Sequence, residues 1–222
     1  MPNDYNLAEL ISKVGSQQEL FESAREFQEM MMRYECAVME VETKIKILNE
    51  EFSMRTQRNP IESIKSRIKS PASIYEKLSR KGYEMTIDNM EQHIKDIAGV
   101  RVICSFPEDI YAVARLITEQ DDIVILEIKD YIAKPKANGY RSLHLIIAVP
   151  IFLANEKRNM KVEIQFRTIA MDFWASLEHK VKYKKNVENP EEIAKELKEC
   201  ADIITSVDYK MQEIEHRTSV IE

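Results

Sequence analysis

Between Leu20 and Phe52 the apolar residues Leu20, Ala24, Phe27, Met31, Tyr34, Val38, Val41, Ile45, Leu48 and Phe52 succeed one another at alternating spacings of four and three. That spacing keeps all of them on one side of a long α-helix, as a sustained heptad seam. A second seam runs through Ile193, Leu197, Cys200, Ile204, Val207, Met211 and Ile214. Asn189 and Pro190 mark its start, because proline suits the first turn of a helix. Heptad seams serve to cover a core or to meet a second copy, and the pattern alone leaves both uses open.

The stretch between the two helices changes period. Short β-rich runs at 63–69, 99–106, 123–131, 143–149 and 161–167 are separated by helical patterns at 73–80 and 109–119. The expectation is an α+β fold, a mixed sheet of about five strands flanked by long N- and C-terminal helices. The chain reads as one domain: a helical extension over 1–58, a core over 61–185 and a C-terminal helix over 189–222.

Composition narrows the class. With 44% apolar and 32% charged residues the chain can bury an ordinary globular core. A formal charge of −6 disfavours a sequence-blind grip on DNA, so a bound nucleotide is expected to be small. Cys36, Cys104 and Cys200 are odd in number, far apart and without metal-ligand spacing, which suits a reduced cytoplasmic setting and a packing role for all three. No apolar run reaches membrane-spanning length, and the start MPNDYNLAEL lacks a basic stretch followed by an apolar one, so neither export nor a membrane partner is expected.

Three segments concentrate chemistry. In Lys161–Val–Glu163–Ile–Gln165–Phe–Arg167, apolar and polar residues alternate strictly, so a strand places the polar four on one face. Such a face is a solvated surface or an active-site floor. Lys65, Arg67, Lys69, Lys77, Arg80 and Lys81 crowd cations into a short stretch of an acidic chain, with Ser73 among them. A solvated basic face or a triphosphate accounts for that excess, since arginine offers paired donors and lysine a point charge. The segment DYIAKPKANGYRSLH, from Asp130 to His144, joins turn residues to Lys136, Asn138, Tyr140 and His144. Tyr140 after the Asn-Gly pair is either a core tyrosine or a ring presented for base stacking, and His144 is either packed in the core or functional.

Together KSRIKSPASIYEKLSRKG from Lys65, DIAGVRVICSF from Asp96, DYIAKPKANGYRSLHL from Asp130 and VEIQFRTIAMDFWASLEHKVKYK from Val162 resemble the synthetase domain of the RelA/SpoT family, in its single-domain form, the small alarmone synthetases. The resemblance implies a nucleotidyltransferase-like synthetase fold that moves pyrophosphate from ATP to the 3′-hydroxyl of GDP or GTP, yielding the stringent-response alarmones. It implies that Asp96 and Glu163 are the catalytic carboxylates and ligands of Mg²⁺. Arg67 and Arg101 correspond to the pair that sandwiches adenine, and Lys69, Ser73 and Lys77 to ATP-phosphate contacts. Tyr140 corresponds to the guanine-stacking tyrosine; Lys136, Asn138, His144, Gln165 and Arg167 fall in the guanine-nucleotide half. A homotetramer is also implied. None of the histidines His93, His144, His179 and His216 precedes an aspartate, so the His-Asp hydrolase motif of long family members is missing. Glu127 and Lys129 together give a mixed indication of GDP against GTP. Two other readings stand beside this one: a nucleotide-sensing module without turnover, and a toxin-like enzyme acting on transfer RNA, which the acidic balance disfavours.

Overall fold

The computed structural model describes residues 17–55, 58–182 and 189–219. Its elements are α1 (Gln17–Arg55), β1 (Ile61–Ile68), α2 (Pro71–Arg80), α3 (Ile87–His93), β2 (Ala98–Cys104), α4 (Pro107–Thr118), β3 (Val124–Asp130), β4 (Leu143–Phe152), β5 (Lys157–Thr168), α5 (Ile169–Lys182) and α6 (Pro190–Ser219). The strands form one mixed sheet of order β1-β2-β5-β4-β3. Only β2 and β5 run parallel; the other neighbours are antiparallel. The expected α+β architecture is the one observed.

One face of the sheet carries Val100 and Val102 of β2, Leu145, Ile147 and Val149 of β4, and Val162, Ile164 and Phe166 of β5, all buried. The seam of α1 lies on this face, with Met30, Tyr34, Ala37, Val38, Val41 and Ile45 in the same core, joined by Ile110, Val113 and Ile117 of α4. Each such side chain taken out of water contributes about 1.5–3 kcal/mol. The N-terminal seam therefore covers the core from Phe27 onward, while Ala24 is exposed.

The C-terminal seam behaves differently. Cys200, Val207, Met211 and Ile214 face outward on α6, and its inward side carries Ala201, Asp208 and Gln212. Leu197 and Ile204 of the seam pack inward against the cluster of Trp174, Ala175 and Ala201, and polar bonds dock the rest of this helix. The Thr168 hydroxyl donates to Asp208 at 2.6 Å, the Glu108 amide donates to Gln212 Oε1 at 2.9 Å, and His216 pairs with Glu108 at 2.9 Å. Arg58 ties the same region together through a two-pronged bond to Asp109 at 2.7 and 2.8 Å and one to Glu215 at 3.2 Å. The packing role read for Cys200 is corrected accordingly: it is exposed because it lies on the outward seam, whereas Cys104 is buried and Cys36 half-buried.

Helix starts precede the first apolar residue. Ser70 caps α2 through its hydroxyl to the Ser73 amide at 3.3 Å, so Pro71 occupies the first turn, and α4 likewise opens at Pro107. Two helices are additional to the expected set. In α3, only seven residues long, Thr86 supplies the cap. In α5, Thr168 ends the strand and accepts the Met171 amide at 3.1 Å, starting the helix without a loop.

Asp208 yields a pH prediction. Burial pushes its carboxyl up, the Thr168 hydroxyl opposes that, and the net direction is upward. The folded state then holds the proton more tightly than the unfolded chain, so this group's contribution is most favourable at low pH and declines as pH rises through the folded value. Asp208→Asn, which keeps an acceptor for Thr168, is expected to melt higher than the parent at neutral pH, the gain shrinking toward about pH 3.9. Melting curves across that range check it; a constant difference refutes it.

Candidate active site

The uncovered face of the sheet collects the polar alternates. One row crosses Arg67 on β1, Gly99 on β2, Glu163 on β5, Ile146 on β4 and Glu127 on β3; the next crosses Lys65, Arg101, Gln165, His144 and Lys129. A cavity of about 160 Å³ lies on this floor, lined by Lys65, Arg67, Gly99, Arg101, Glu163 and Gln165 among others. A β-carbon at Gly99 would stand 3.6 Å from the Arg67 side chain, so the missing side chain keeps the floor low between Arg67 and Glu163.

Asp96 sits at the rim, between α3 and β2, with Lys69 on one oxygen at 2.9 Å and Lys77 on the other at 2.7 Å. Burial pushes its carboxyl up, but hydrogen bonds from Lys77 and Lys69 outweigh it and hold the group below its ordinary range. The Lys69 amide donates to the Ile97 carbonyl at 2.8 Å, which fixes the spacing between the end of β1 and the start of β2.

Glu163 anchors a directional chain of hydrogen bonds. Arg167 can only donate, and its Nη2 lies 2.8 Å from Tyr140 Oη. The tyrosine hydrogen is thus left for His144 Nε2 at 2.8 Å, which places the imidazole proton on Nδ1, 3.2 Å from Glu163 Oε1. Gln165 Nε2 donates to Glu163 Oε2 at 2.7 Å. Burial pushes the Glu163 carboxyl up and the Asp96 charge adds to that, yet the bonds from His144 and Gln165 win and hold it ionised.

The segment after β3 brings Tyr140 into this chain. Lys136 Nζ stands over the Tyr140 ring at 4.9 Å and the Arg167 guanidinium lies 5.2 Å from its centroid. Asn138 uses both ends of its amide: Oδ1 accepts the Tyr140 amide at 3.2 Å and Nδ2 donates to Glu178 at 3.0 Å. Gly139 has a φ of +87°, and a β-carbon there would fall 2.5 Å from that of Ala201 on α6. The loop is pressed onto α6 at a point that admits no side chain.

The structure thus gathers Arg67, Arg101, Glu163, Gln165, Arg167 and His144 on one floor, with Asp96, Lys69 and Lys77 at its rim and Tyr140, Lys136 and Asn138 at the far end. Ser73 lies in the first turn of α2, four residues before Lys77, and its hydroxyl is bonded to Ser70 at 2.9 Å. Sequence reasoning missed Asp172, which accepts from Arg101 at 3.2 Å and Arg167 at 2.8 Å, and Glu178. Both stand on α5, directly after the alternating strand.

Asp96 and Glu163 are the residues here that could hold a single hard cation sharing its shell with a substrate. Mg²⁺ takes one or two protein carboxylates and fills the rest with water and phosphate oxygens. Asp96 and Glu163 are both held ionised, and the charge of Asp96 is felt at Glu163. Among the described residues no cluster of three or more metal-binding side chains occurs, so a cation held here needs ligands from elsewhere.

Residues 66–188 match the region found in RelA / SpoT proteins. The chain is 51% identical over 181 residues to GTP pyrophosphokinase YwaC of Bacillus subtilis, an alignment covering 82% of this chain and 86% of that one. Its structure resembles small alarmone synthetase 2 of Bacillus subtilis with a TM-score of 0.78 at 47% identity, covering 86% of this chain and 99% of that one. Small alarmone synthetase 1 of the same organism, solved bound to its product pppGpp, superposes with a TM-score of 0.79 at 33% identity, covering 87% and 98%.

Gly139→Ala tests the brace between loop and helix. A left-handed alanine costs about 1–2 kcal/mol before the overlap with Ala201 is counted. The expected outcome is a lower melting temperature together with a changed emission from Trp174, the chain's one tryptophan, which packs with Ala201 and Tyr140. Unaltered melting and emission would show that α6 does not brace the loop.

Proposed function

The chain belongs to the RelA/SpoT family, and on that premise we propose that it transfers the β,γ-pyrophosphate of ATP to the 3′-hydroxyl of GDP or GTP. The products are ppGpp or pppGpp, and AMP. The observation that carries this reading is the polar floor itself: two ionised carboxylates, Asp96 and Glu163, set among Arg67, Lys69, Lys77, Arg101 and Arg167. Phosphoryl-group transfer asks for charge neutralisation and alignment more than for covalent chemistry, and this set supplies both.

Asp96 and Glu163 would hold Mg²⁺ together with ATP oxygens, where the cation neutralises charge on the transferred group. Arg67 and Arg101, on neighbouring strands beside the low floor at Gly99, flank adenine by cation–π contact. Lys69 and Lys77 exchange Asp96 for phosphate oxygens, and Ser73 adds a hydroxyl from α2. Tyr140 stacks on guanine, which takes the place of a cation now over the ring, and Lys136, Asn138, His144, Gln165 and Arg167 orient the acceptor. The acceptor O3′ forms a bond to the β-phosphorus as the bond from that phosphorus to the α-phosphate oxygen breaks, and AMP departs with the oxygen. Glu163, kept ionised by His144 and Gln165, receives the hydroxyl proton.

Product analysis by ion exchange, with ATP as donor and GDP, GTP, GMP or transfer RNA as acceptor, tests this reading. AMP and a 3′-pyrophosphorylated guanine nucleotide are expected. Nucleotide binding without products favours a sensing module, and labelled transfer RNA favours the toxin-like reading. Asp96→Asn is expected to lose at least about 100-fold in kcat, equivalent to ~3 kcal/mol of transition-state stabilisation, in a chain that still folds. An active variant would sink the metal assignment.

Among the described residues no helix is long and apolar enough to cross a membrane. We propose a cytoplasmic setting on the separate ground that the nucleotide substrates are found there. The homotetramer is supported by the outward stripe of α6, where Ile203, Val207, Met211 and Ile214 are 65%, 55%, 52% and 39% exposed. Light scattering at low protein concentration should return four times the 26.0 kDa chain mass, and a single-chain mass refutes it.

A further inference from the structure

One carboxylate oxygen is shared between the two halves of the floor. Asp172 Oδ1 accepts from Arg101 Nη1 at 3.2 Å and from Arg167 Nη1 at 2.8 Å. Arg101 belongs to β2 and lines the cavity beside Arg67; Arg167 belongs to β5 and donates through Nη2 to Tyr140 at 2.8 Å. A continuous path therefore runs from Arg101 through Asp172 and Arg167 to Tyr140.

The electrostatics give that shared oxygen a purpose. Arg101 is penalised by burial and by the positive charges of Arg167 and Arg67, against which Asp172 acts as a compensating charge. The Nε atoms of Arg101 and Arg167 are both buried without a partner, so their bonds to Asp172 are a main restraint on where the two guanidinium planes lie. Arg167 is only 7% exposed in its side chain and cannot relieve repulsion by swinging into water. The carboxylate is itself anchored: it stands in the first turn of α5, a position that favours an acid, and the Thr168 hydroxyl caps that turn through the Met171 amide.

We propose that Asp172 is a positioning residue that couples donor and acceptor binding, by fixing the adenine-side Arg101 and the acceptor-side Arg167 on one oxygen. It touches neither nucleotide. The proposal rests on the pyrophosphotransfer reading for the identity of the two ligands. Loss of its charge lets the two arginines move apart, so both halves of the site lose their geometry together while the fold, held by the opposite face of the sheet, stays intact.

The test is calorimetric titration of the full chain with a non-hydrolysable ATP analogue and, separately, with GDP, alongside melting curves. Asp172→Asn keeps an acceptor oxygen but removes the charge, and Asp172→Glu restores the charge on a longer arm. Asp172→Asn is expected to weaken both ligands about tenfold, the scale of one charge-assisted hydrogen bond, with Asp172→Glu recovering part of each loss. In an Arg101→Ala background the same change should still weaken GDP but leave the ATP analogue unaffected, and in an Arg167→Ala background the pattern should reverse. Equal affinities for parent and variant overturn the proposal. So does an effect on one nucleotide only, or a fall in melting temperature with affinities unchanged, which would make Asp172 a helix-capping residue alone. Because binding is read directly, parent protein that binds both nucleotides yet forms no product refutes the pyrophosphotransfer reading without deciding the role of Asp172.

Discussion

Strand β5 is hydrogen-bonded on both edges, parallel to β2 and antiparallel to β4, and its side chains must alternate between two faces. Val162, Ile164 and Phe166 are fully buried on the face beneath α1, and that phase leaves Glu163, Gln165 and Arg167 on the other. A slip of one residue would drive the three polar groups into an apolar interior, where unpaired charges cost several kcal/mol each. The burial that holds the fold is thus the same constraint that places the candidate chemistry. Gly99, Arg101 and His144 take their places from it through the paired positions of β2 and β4.

A floor so dense in charge has to be stable before any nucleotide arrives, and the pairing shows how. Lys69 and Lys77 neutralise Asp96, His144 and Gln165 satisfy Glu163, and Asp172 serves Arg101 and Arg167. Removing one member would strand the others, since a half-buried charge without its partner loses more than the pair ever contributed. On the proposed reading, binding of a polyphosphate would be an exchange of partners: the phosphates would take the two lysines, and Asp96 would be freed for a cation. The desolvation of these charges has largely been met in folding, which leaves more of the electrostatic attraction available to the ligand.

Much of this arrangement is legible in the chain. The strict alternation from Lys161 to Arg167 identifies a two-faced strand, the heptads of α1 identify its cover, and the four ordered motif blocks identify the family. What stayed hidden depends on long-range geometry. Asp172 and Glu178 act at the floor because α5 leaves the end of β5 without a loop and folds back beside the loop that bears Tyr140, and no local pattern announces that turn. The direction faced by α6 was equally illegible. Periodicity finds an apolar stripe but not which part of it docks: Leu197 and Ile204 pack inward, whereas Val207, Met211 and Ile214 face out and Asp208 and Gln212 dock beside them on Thr168 and the Glu108 amide.

The acceptor half of the site carries the sharper structural demand. On the proposed reading adenine would lie between two guanidinium groups and be read through its faces, a contact that tolerates any base. Guanine needs its edge read as well, and the natural side chain for that, Asn138, has both ends occupied, one by the Tyr140 amide and one by Glu178. Its amide is committed to the shape of the loop that carries Tyr140, and Gly139 holds that shape by meeting α6 where no β-carbon fits. A guanine edge must therefore either compete with Glu178 for the Asn138 donor or find its partners in the loop backbone. In both cases, on that reading, the selectivity of the acceptor site would be a property of how firmly α5 and α6 hold the loop, and would be set outside the polar floor.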